Sequence, residues 1–170
     1  MNLKSYIENI PDFPTGGIVF RDITPLLKNP NAFKYVITEL SNHAAQNNTE
    51  LIAGIESRGF LFGTTIAHTL GIPFVPIRKK GKLPKTVFSK EYSLEYGTGQ
   101  LDIHTDALEQ GTRTYLVDDL LATGGTALAA AQLIEKLGGT LVGVGFVIEL
   151  NDLKGRDYLK KYTVTSLVNY

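Results

Sequence analysis

Three segments of the chain share one pattern of hydrophobic and polar positions: a continuous apolar run, a polar or glycine-containing turn, and then a helical pattern. The apolar runs are residues 51–55, 114–117 and 140–150, and the last is followed by the turn NDLKG and the helical pattern RDYLKKY. Apolar runs without alternation are typical of strands that are buried on both faces. Strands that alternate with helices in this way predict an α/β fold, with a parallel twisted sheet flanked by helices.

One long polar segment departs from this pattern. Residues 79–99 are rich in Lys, Ser and Tyr, and loops longer than about 12–15 residues are uncommon in compact domains unless they act as lids or binding loops. We predict a flexible β-hairpin lid with strands at residues 86–88 and 91–94, after which residues 100–104 rejoin the sheet. The alternative is a solvated surface excursion.

Composition restricts the classes of function. The chain has 170 residues, which predicts one domain over residues 1–170, and its formal net charge of zero argues against a surface built for nucleic acid. It has no cysteine, which excludes disulfides, thiolate metal sites and thiol nucleophiles. No apolar segment approaches the ~18 residues of a membrane span, and residues 1–14 lack the apolar core of a signal peptide. We therefore expect a cytoplasmic protein with no membrane partner.

The stretch YLVDDLLATGGT, residues 115–126, combines an apolar run, two adjacent acids and a loop of small residues. Glycines let the backbone approach a ligand closely, threonines add hydroxyl donors, and the first N–H groups of the following helix favour an anion. The loop matches neither the GxxxxGK[ST] nor the GxGxxG pattern. We predict a phosphate-monoester site, with a simple capped helix as the alternative. The loop residues are Ala122, Thr123, Gly124, Gly125 and Thr126.

Asp118 and Asp119 stand directly before this loop. Two carboxylates would repel a bound phosphate, but a ribose resolves the conflict, because its 2′- and 3′-hydroxyls donate to the carboxylates while its 5′-phosphate lies in the loop. A divalent cation near the diol would reduce the repulsion further. The stretch therefore predicts a 5-phosphoribose site. The alternative is that one Asp caps a turn and the other is solvated.

The motif VDDLLATGGT (117–126) resembles the phosphoribosyl pyrophosphate (PRPP) motif of the type I phosphoribosyltransferases. Five further segments narrow the resemblance to the adenine phosphoribosyltransferase family and extend it over nearly the whole chain. The resemblance implies the type I fold with a small N-terminal hood (approximately 1–30) and a lid (approximately 79–99). It also implies a homodimer that transfers the 5-phosphoribosyl group from PRPP to adenine, giving AMP and pyrophosphate. The five segments are FPTGGIVFRDITPLL (13–27), GIESRGFLFG (54–63), IRKKGKLP (77–84), YSLEYG (92–97) and ELNDLKGR (149–156).

By resemblance, pyrophosphate is held by the turn that follows the first buried strand and by the lid. Arg58 can hold a dianion, and the family's pyrophosphate loop often contains a non-proline cis peptide. Because PRPP is highly charged, we assign Lys79 and Lys82 to it and interpret Lys80 and Lys85 as solvated. Lys85 departs from the family, in which glycine often follows the LP pair. The assigned pyrophosphate residues are Ser57, Arg58, Lys79, Lys82 and Tyr96.

The resemblance places the purine under the hood. Phe20 would stack on one face of the base and Leu120 would pack on the other. The backbone of Arg21 would accept from the 6-amino group and donate to N1, a polarity that guanine and hypoxanthine reverse. Glu95 is the implied catalytic acid or base beside the imidazole ring, and Arg58 the group that takes the leaving charge. The implied adenine residues are Val19, Phe20, Arg21 and Leu120.

The implied cofactor is Mg²⁺, bound mainly through PRPP, with Asp118 or Asp119 as candidate protein ligands. Histidines 43, 68 and 104 lack metal-ligand spacing and are interpreted as structural.

Two alternatives stay open from the sequence. A phosphoribosyltransferase for another purine base would share the PRPP site, although VFRD and YSLEYG argue against it. A PRPP-binding regulatory protein would share the fold, but a repressor needs an added DNA-binding domain, for which residues 1–14 are too short. The expected partners are therefore adenine, PRPP, AMP, pyrophosphate and a second copy of the chain, and no nucleic acid.

Overall fold

A computed structural model describes residues 1–93 and 98–170, with the backbone but not the side chain of Ser93. The chain forms two compact units, Met1–Glu39 and Leu40–Tyr170. The first unit contains an antiparallel two-stranded sheet, in which Ile10 pairs with Phe20. Its elements are a 3₁₀ helix (Leu3–Tyr6), β1 (Glu8–Pro11), β2 (Val19–Asp22), α1 (Thr24–Lys28) and the first part of α2 (Pro30–Gln46), which ends in the second unit.

The second unit is built on a seven-stranded sheet in the order β5-β6-β4-β3-β7-β8-β9. Strands β4, β3, β7, β8 and β9 are parallel to their neighbours in this list, whereas β5 and β6 form an antiparallel hairpin that pairs with β4. The elements are β3 (Leu51–Ile55), α3 (Gly59–Leu70), β4 (Phe74–Lys79), β5 (Val87–Ser93), β6 (Thr98–His104), β7 (Arg113–Leu121), α4 (Gly125–Lys136), β8 (Thr140–Glu149), β9 (Val164–Asn169) and two 3₁₀ helices (Asn151–Leu153 and Gly155–Leu159).

The apolar runs are the central strands of this sheet, which confirms the predicted α/β fold. All five residues of β3 are buried, as are most residues of β7 and β8. The main core lies on the side of α4, where Ala130 and Ile134 pack with strand residues such as Ile55 and Phe146. Burial on both faces explains why these strands show no alternation of polar and apolar positions.

Two details differ from the sequence predictions. The predicted strands of the hairpin are wrong: the pairing is not between residues 86–88 and 91–94, because residues 87–93 form one strand whose partner is 98–104. Residues 100–104 do rejoin the sheet as predicted, since this second strand also pairs with β4. The helix predicted for RDYLKKY is also wrong in type: the chain there forms only a short 3₁₀ helix, Gly155–Leu159. Helix α3 ends at a glycine in the left-handed conformation, Gly71, which is typical of a helix C-terminus. No helix in the described ranges is long and apolar enough to cross a membrane.

Candidate active site

The predicted phosphate loop connects the end of β7 to the start of α4. Gly124 has a φ of +85°, a conformation that L side chains rarely adopt, and α4 begins at the next residue. The first N–H groups of a 12-residue helix therefore border the loop, where they favour an anion. A cavity of about 240 Å³ opens here, lined by Arg58, Asp118, Asp119, Leu120, Leu121, Ala122, Thr123, Gly124, Thr126 and Ala127.

The two predicted acids lie at the wall of this cavity. The N–H of Asp119 donates to Oδ1 of Asp118 at 2.8 Å, and Oδ2 of Asp119 lies 2.7 Å from Nη2 of Arg58. Burial raises the pKa of the Asp118 carboxyl well above its usual value, and the charge of Asp119 raises it further. Burial also raises the pKa of Asp119, although the charge of Arg58 opposes this effect. Keeping both carboxyls ionised, as acceptors for the hydroxyls of a diol, therefore costs free energy, and the charge of Arg58 reduces that cost.

The turn after β3 lies beside these acids, because β3 and β7 are parallel neighbours, with Gly54 opposite Val117. The peptide bond between Glu56 and Ser57 is cis, which agrees with the resemblance. Helix α3 begins at Gly59, where a Cβ atom would lie 2.8 Å from the carbonyl oxygen of Val117 and 3.0 Å from Oδ1 of Asp118. The lack of a side chain at this glycine lets the turn approach the acids.

A second cavity, of about 310 Å³, adjoins the first one and shares Arg58 and both acids with it. The two cavities therefore share one wall, which contains a cation, Arg58, and two acids, Asp118 and Asp119. Such an arrangement can hold a sugar between two anionic groups. The second cavity is lined by Glu56, Ser57, Arg58, Lys79, Tyr92, Leu101, Asp118, Asp119 and Thr126.

Glu56 organises the basic side of the site and was not identified from the sequence. Its carboxylate accepts from the Nε of Arg78 at 3.2 Å and from the N–H of Lys79 at 3.0 Å. Arg78 Nη1 in turn donates to the carbonyl of Lys82 at 3.0 Å. Burial alone would raise the pKa of Glu56, but the hydrogen bonds from Arg78 and Lys79 and the charges of Arg78 and Lys82 lower it below its usual value. The acid therefore stays ionised and holds both ends of residues 79–82, which we call the basic turn: it contacts Lys79 directly and Lys82 through Arg78.

Asp102 is a second acid that sequence reasoning missed. It is 3% exposed, and its carboxylate accepts from the N–H of Gly81 at 3.0 Å, Ser89 Oγ at 2.8 Å and Gln100 Nε2 at 2.8 Å. Burial opposes ionisation, yet these hydrogen bonds and the charge of Lys80 lower its pKa. One buried carboxylate thus joins the basic turn to both strands of the hairpin. The sequence contains no signal of this burial, because Asp102 takes a polar position in the alternation of residues 100–104, whereas the structure buries it together with Leu101 and Ile103.

The residues predicted for adenine are divided between the two units. Val19, Phe20 and Arg21 lie on β2 of the first unit, where the ring of Phe20 contacts that of Phe13 edge-on with centroids 5.2 Å apart. Leu120 lies on β7 of the second unit and lines the first cavity. Glu95 and Tyr96 fall outside the described residues, so their assigned roles stay predictions.

The acids present suit a cation that is bound largely through a ligand. In the described part of the chain, no group of three or more His, Asp or Glu side chains could hold a metal ion. Two carboxylates, Asp118 and Asp119, do line the cavities and offer the oxygen donors that Mg²⁺ prefers. A metal here would therefore need further oxygen ligands, which PRPP can supply.

Comparisons with known proteins agree with this geometry. Residues 22–170 match the phosphoribosyl transferase domain family. A curated adenine phosphoribosyltransferase from Acaryochloris marina is 54% identical over 170 residues, and the alignment covers 100% of both chains.

Solved structures show the same fold. The crystal structure of adenine phosphoribosyltransferase from Thermoanaerobacter pseudethanolicus has a TM-score of 0.95 and 50% identity, and covers 99% of this chain and 98% of that one. The Saccharomyces cerevisiae enzyme, complexed with D-2,5-dideoxy-2,5-imino-altritol 1,6-bisphosphate and adenine, has a TM-score of 0.92 and 42% identity, and covers 97% of this chain and 96% of that one.

Proposed function

Because the chain belongs to the adenine phosphoribosyltransferase family, whose members form AMP and pyrophosphate from adenine and PRPP in purine salvage, we propose that the two adjoining cavities together hold PRPP. The observation that carries this proposal is the shared wall of Arg58, Asp118 and Asp119, which places a cation and two acids between the phosphate loop and the basic turn.

The phosphate loop, Ala122–Thr126, binds the 5′-phosphate. The positive φ of Gly124 and the start of α4 support this role, because they present backbone N–H groups to an anion. Asp118 and Asp119 accept the ribose hydroxyls. The raised pKa of each acid means that a hydroxyl donor and a nearby cation stabilise the ionised pair.

Pyrophosphate binds on the opposite side, at Ser57, Arg58, Lys79 and Lys82, with Tyr96 added from the lid. The support is that Ser57, Arg58 and Lys79 line the second cavity, while Glu56 and Arg78 hold the turn that carries Lys79 and Lys82. These cations stabilise the charge that develops on the leaving group. We propose Mg²⁺ as the cofactor, with Asp118 or Asp119 as its protein ligands. When bound it would neutralise part of the charge of PRPP.

Val19, Phe20 and Leu120 are assigned to adenine by resemblance, and the backbone of Arg21 is assigned to read the amino group and N1. In the reaction, a bond forms between the purine nitrogen and the anomeric carbon while the bond from that carbon to pyrophosphate breaks. The residues of the chain mainly position the two reactants, exclude water and stabilise the leaving charge. Glu95 takes or holds the purine proton.

A competition among bases tests this assignment. Purified protein, PRPP and Mg²⁺ are mixed with adenine, hypoxanthine or guanine in turn, and nucleotide and pyrophosphate are measured. We expect AMP alone. IMP or GMP would leave the PRPP site intact but overturn the assigned adenine site. Binding of PRPP without any product would overturn the assigned transfer and point to a regulatory protein.

The acid or base role of Glu95 has its own test. Replacing Glu95 with Gln should lower kcat at saturating adenine by about 10²-fold or more, the usual contribution of general acid–base catalysis. Near-intact turnover would show that this carboxyl does not move a proton. The homodimer, which light scattering would detect, and the cytoplasmic location also stay predictions.

A further inference from the structure

The phosphate loop rests directly on the backbone of a segment far along the chain. A Cβ atom on Gly124 would overlap the carbonyl oxygen of Gly155 and would lie 3.0 Å from its carbonyl carbon. Conversely, a Cβ atom on Gly155 would overlap the carbonyl oxygen of Ala122 and would lie 2.9 Å from the N–H nitrogen of Gly124. The two backbones therefore touch with no side chain between them, and only glycine fits at either position.

Gly155 belongs to residues 149–156, which we call the support segment. The segment leaves the end of β8 beside the end of β7, because the N–H of Leu150 donates to the carbonyl of Leu121 at 2.9 Å. It is also joined to the C-terminus, since the N–H of Asn151 donates to the carbonyl of Tyr170 at 2.8 Å. The backbone reaches buried Gly155 through Lys154, whose φ is +51°. These two hydrogen bonds join the segment that carries Gly155 to the end of β7 and to the C-terminal residue.

Arg156 fixes the segment to the sheet. Its Nε donates to Oε1 of Glu149 at 2.9 Å, its Nη1 donates to the carbonyl of Val164 at 2.9 Å, and its Nη2 donates to Ser166 Oγ at 3.1 Å. Glu149 is 5% exposed and also accepts from the hydroxyl of Ser166. A planar guanidinium with this many partners permits little movement of the residue beside Gly155.

We propose that the support segment is a positioning element of the phosphate loop, in which Gly155 sets the height of the loop backbone and the Glu149–Arg156 pair holds Gly155 in place. None of these residues lines either cavity, so they act through the loop and not on the ligand. The inference rests on the proposed role of the loop in binding the 5′-phosphate. It means that Glu149, Gly155 and Arg156 affect the affinity for the 5′-phosphate although they do not contact it.

The test compares two ligands that use different parts of the site. Ribose 5-phosphate needs the loop and the acids, whereas pyrophosphate needs the turn after β3 and the basic turn. We expect Gly155→Ala to weaken ribose 5-phosphate binding, measured by calorimetry, by about 10- to 100-fold, the loss expected when a hydrogen bond to a charged group is broken. Pyrophosphate affinity should change less than about 2-fold, since its binding residues are not displaced.

Gly143→Ala is the matched control. A Cβ atom there would lie 2.7 Å from the Tyr115 ring, so this variant also crowds a glycine of the same unit, but at the opposite end of β8. It should lower the melting temperature and leave ribose 5-phosphate affinity unchanged well below that temperature. Equal loss of affinity in both variants would overturn the proposal, because the effect would then be general destabilisation.

Arg156→Gln decides the question if Gly155→Ala does not fold. It removes the anchor without touching the loop and should cause the same selective loss, with partial recovery in Arg156→Lys. Wild-type affinity for ribose 5-phosphate in folded Arg156→Gln would refute the proposal. If the wild-type protein binds pyrophosphate but not ribose 5-phosphate, the assigned loop function fails instead, and the inference fails with it.

Discussion

Arg58 and Asp119 form an ion pair across the boundary of the two cavities, with Nη2 of the arginine 2.7 Å from Oδ2 of the aspartate. The side chain of Asp119 is 8% exposed, whereas that of Arg58 is 32% exposed and can meet a ligand. The pair joins a residue assigned to pyrophosphate with one assigned to ribose. Loss of the arginine should therefore affect both ends of PRPP at once.

Arg58→Gln should lower kcat/KM for PRPP by about 10²- to 10³-fold, the range measured for removal of a donor that stabilises developing charge. The reason is that Gln removes a cation from the leaving group and also leaves the Asp119 carboxylate without its partner. Arg58→Lys is the matched variant: it keeps the charge but not the planar fork, and should recover only part of the loss. Steady-state kinetics at saturating adenine would measure the effect. A Gln variant within about 3-fold of wild type would contradict the assigned role.

Asp118→Asn should lose activity and gain stability. Burial raises the pKa of this carboxyl above 3.8, so the folded state disfavours the ionised form. The unfolding free energy therefore falls as the pH rises from the unfolded pKa to the raised folded pKa, and the penalty is complete above it. Asn removes the penalty. We expect a higher melting temperature near pH 7, by about 2–4 °C for each kcal/mol relieved.

Thermal unfolding of the wild type and of Asp118→Asn at about pH 7 and about pH 4 measures this effect. The advantage of the variant should shrink at the lower pH, where the wild-type carboxyl is protonated in the folded protein. An advantage of equal size at both pH values, or none, would show that Asp118 carries no such penalty.

Asp102→Asn should destabilise the protein and weaken PRPP binding together. Its carboxylate accepts three hydrogen bonds. In asparagine an NH₂ group replaces one of the two carboxylate oxygens, and this group cannot accept a hydrogen bond from the donors that face it. The expected loss is about 1–3 kcal/mol, with a raised KM for PRPP because the turn at Gly81 is released. Urea unfolding and kinetics measure both quantities.

Asp106→Asn is the control for this variant, since Asp106 is 70% exposed in a loose ion pair with Lys85. It should change neither stability nor KM.

The stability that Asp102 contributes should also depend on pH. Its pKa in the folded protein is lowered from 3.8, so the ionised carboxylate stabilises the folded state above pH 3.8, and this contribution is lost as the pH falls through the folded pKa. The stability difference between wild type and Asp102→Asn should therefore narrow only below about pH 4. A stability difference between wild type and Asp102→Asn that stays constant below that pH would show that an ionised Asp102 does not stabilise the folded protein.

Phe20→Leu should raise KM for adenine by about 10-fold while KM for PRPP changes little. Stacking of a base on an aromatic ring contributes about 1–3 kcal/mol, and leucine retains only part of this contact. Kinetics with each substrate varied in turn separate the two constants. A larger effect on PRPP than on adenine would contradict the placement of Phe20 in the base site.

Short-range patterns explain why some parts of the site could be predicted. Asp118, Asp119 and the loop that follows them are consecutive in the chain, and the alternation of apolar runs with helices depends only on neighbouring residues. The strands of the hairpin were predicted wrongly because β5, at the edge of the sheet, carries polar residues that local pattern does not distinguish from a loop. The 3₁₀ helix at Gly155 was predicted as a regular helix because its apolar spacing allowed one.

The sequence by itself determined the α/β class, the buried strands, the glycine-containing loop between β7 and α4, and the family, because each depends on periodicity or on residues that adjoin in the chain. Only the tertiary structure brought Glu56 to Arg78, 22 residues away, Asp102 to Gly81, 21 residues away, and Gly155 against Gly124. These contacts depend on strand order and on backbone distances of a few ångströms. Several competing arrangements of the same elements would satisfy the hydrophobic pattern equally well, so packing alone decided them.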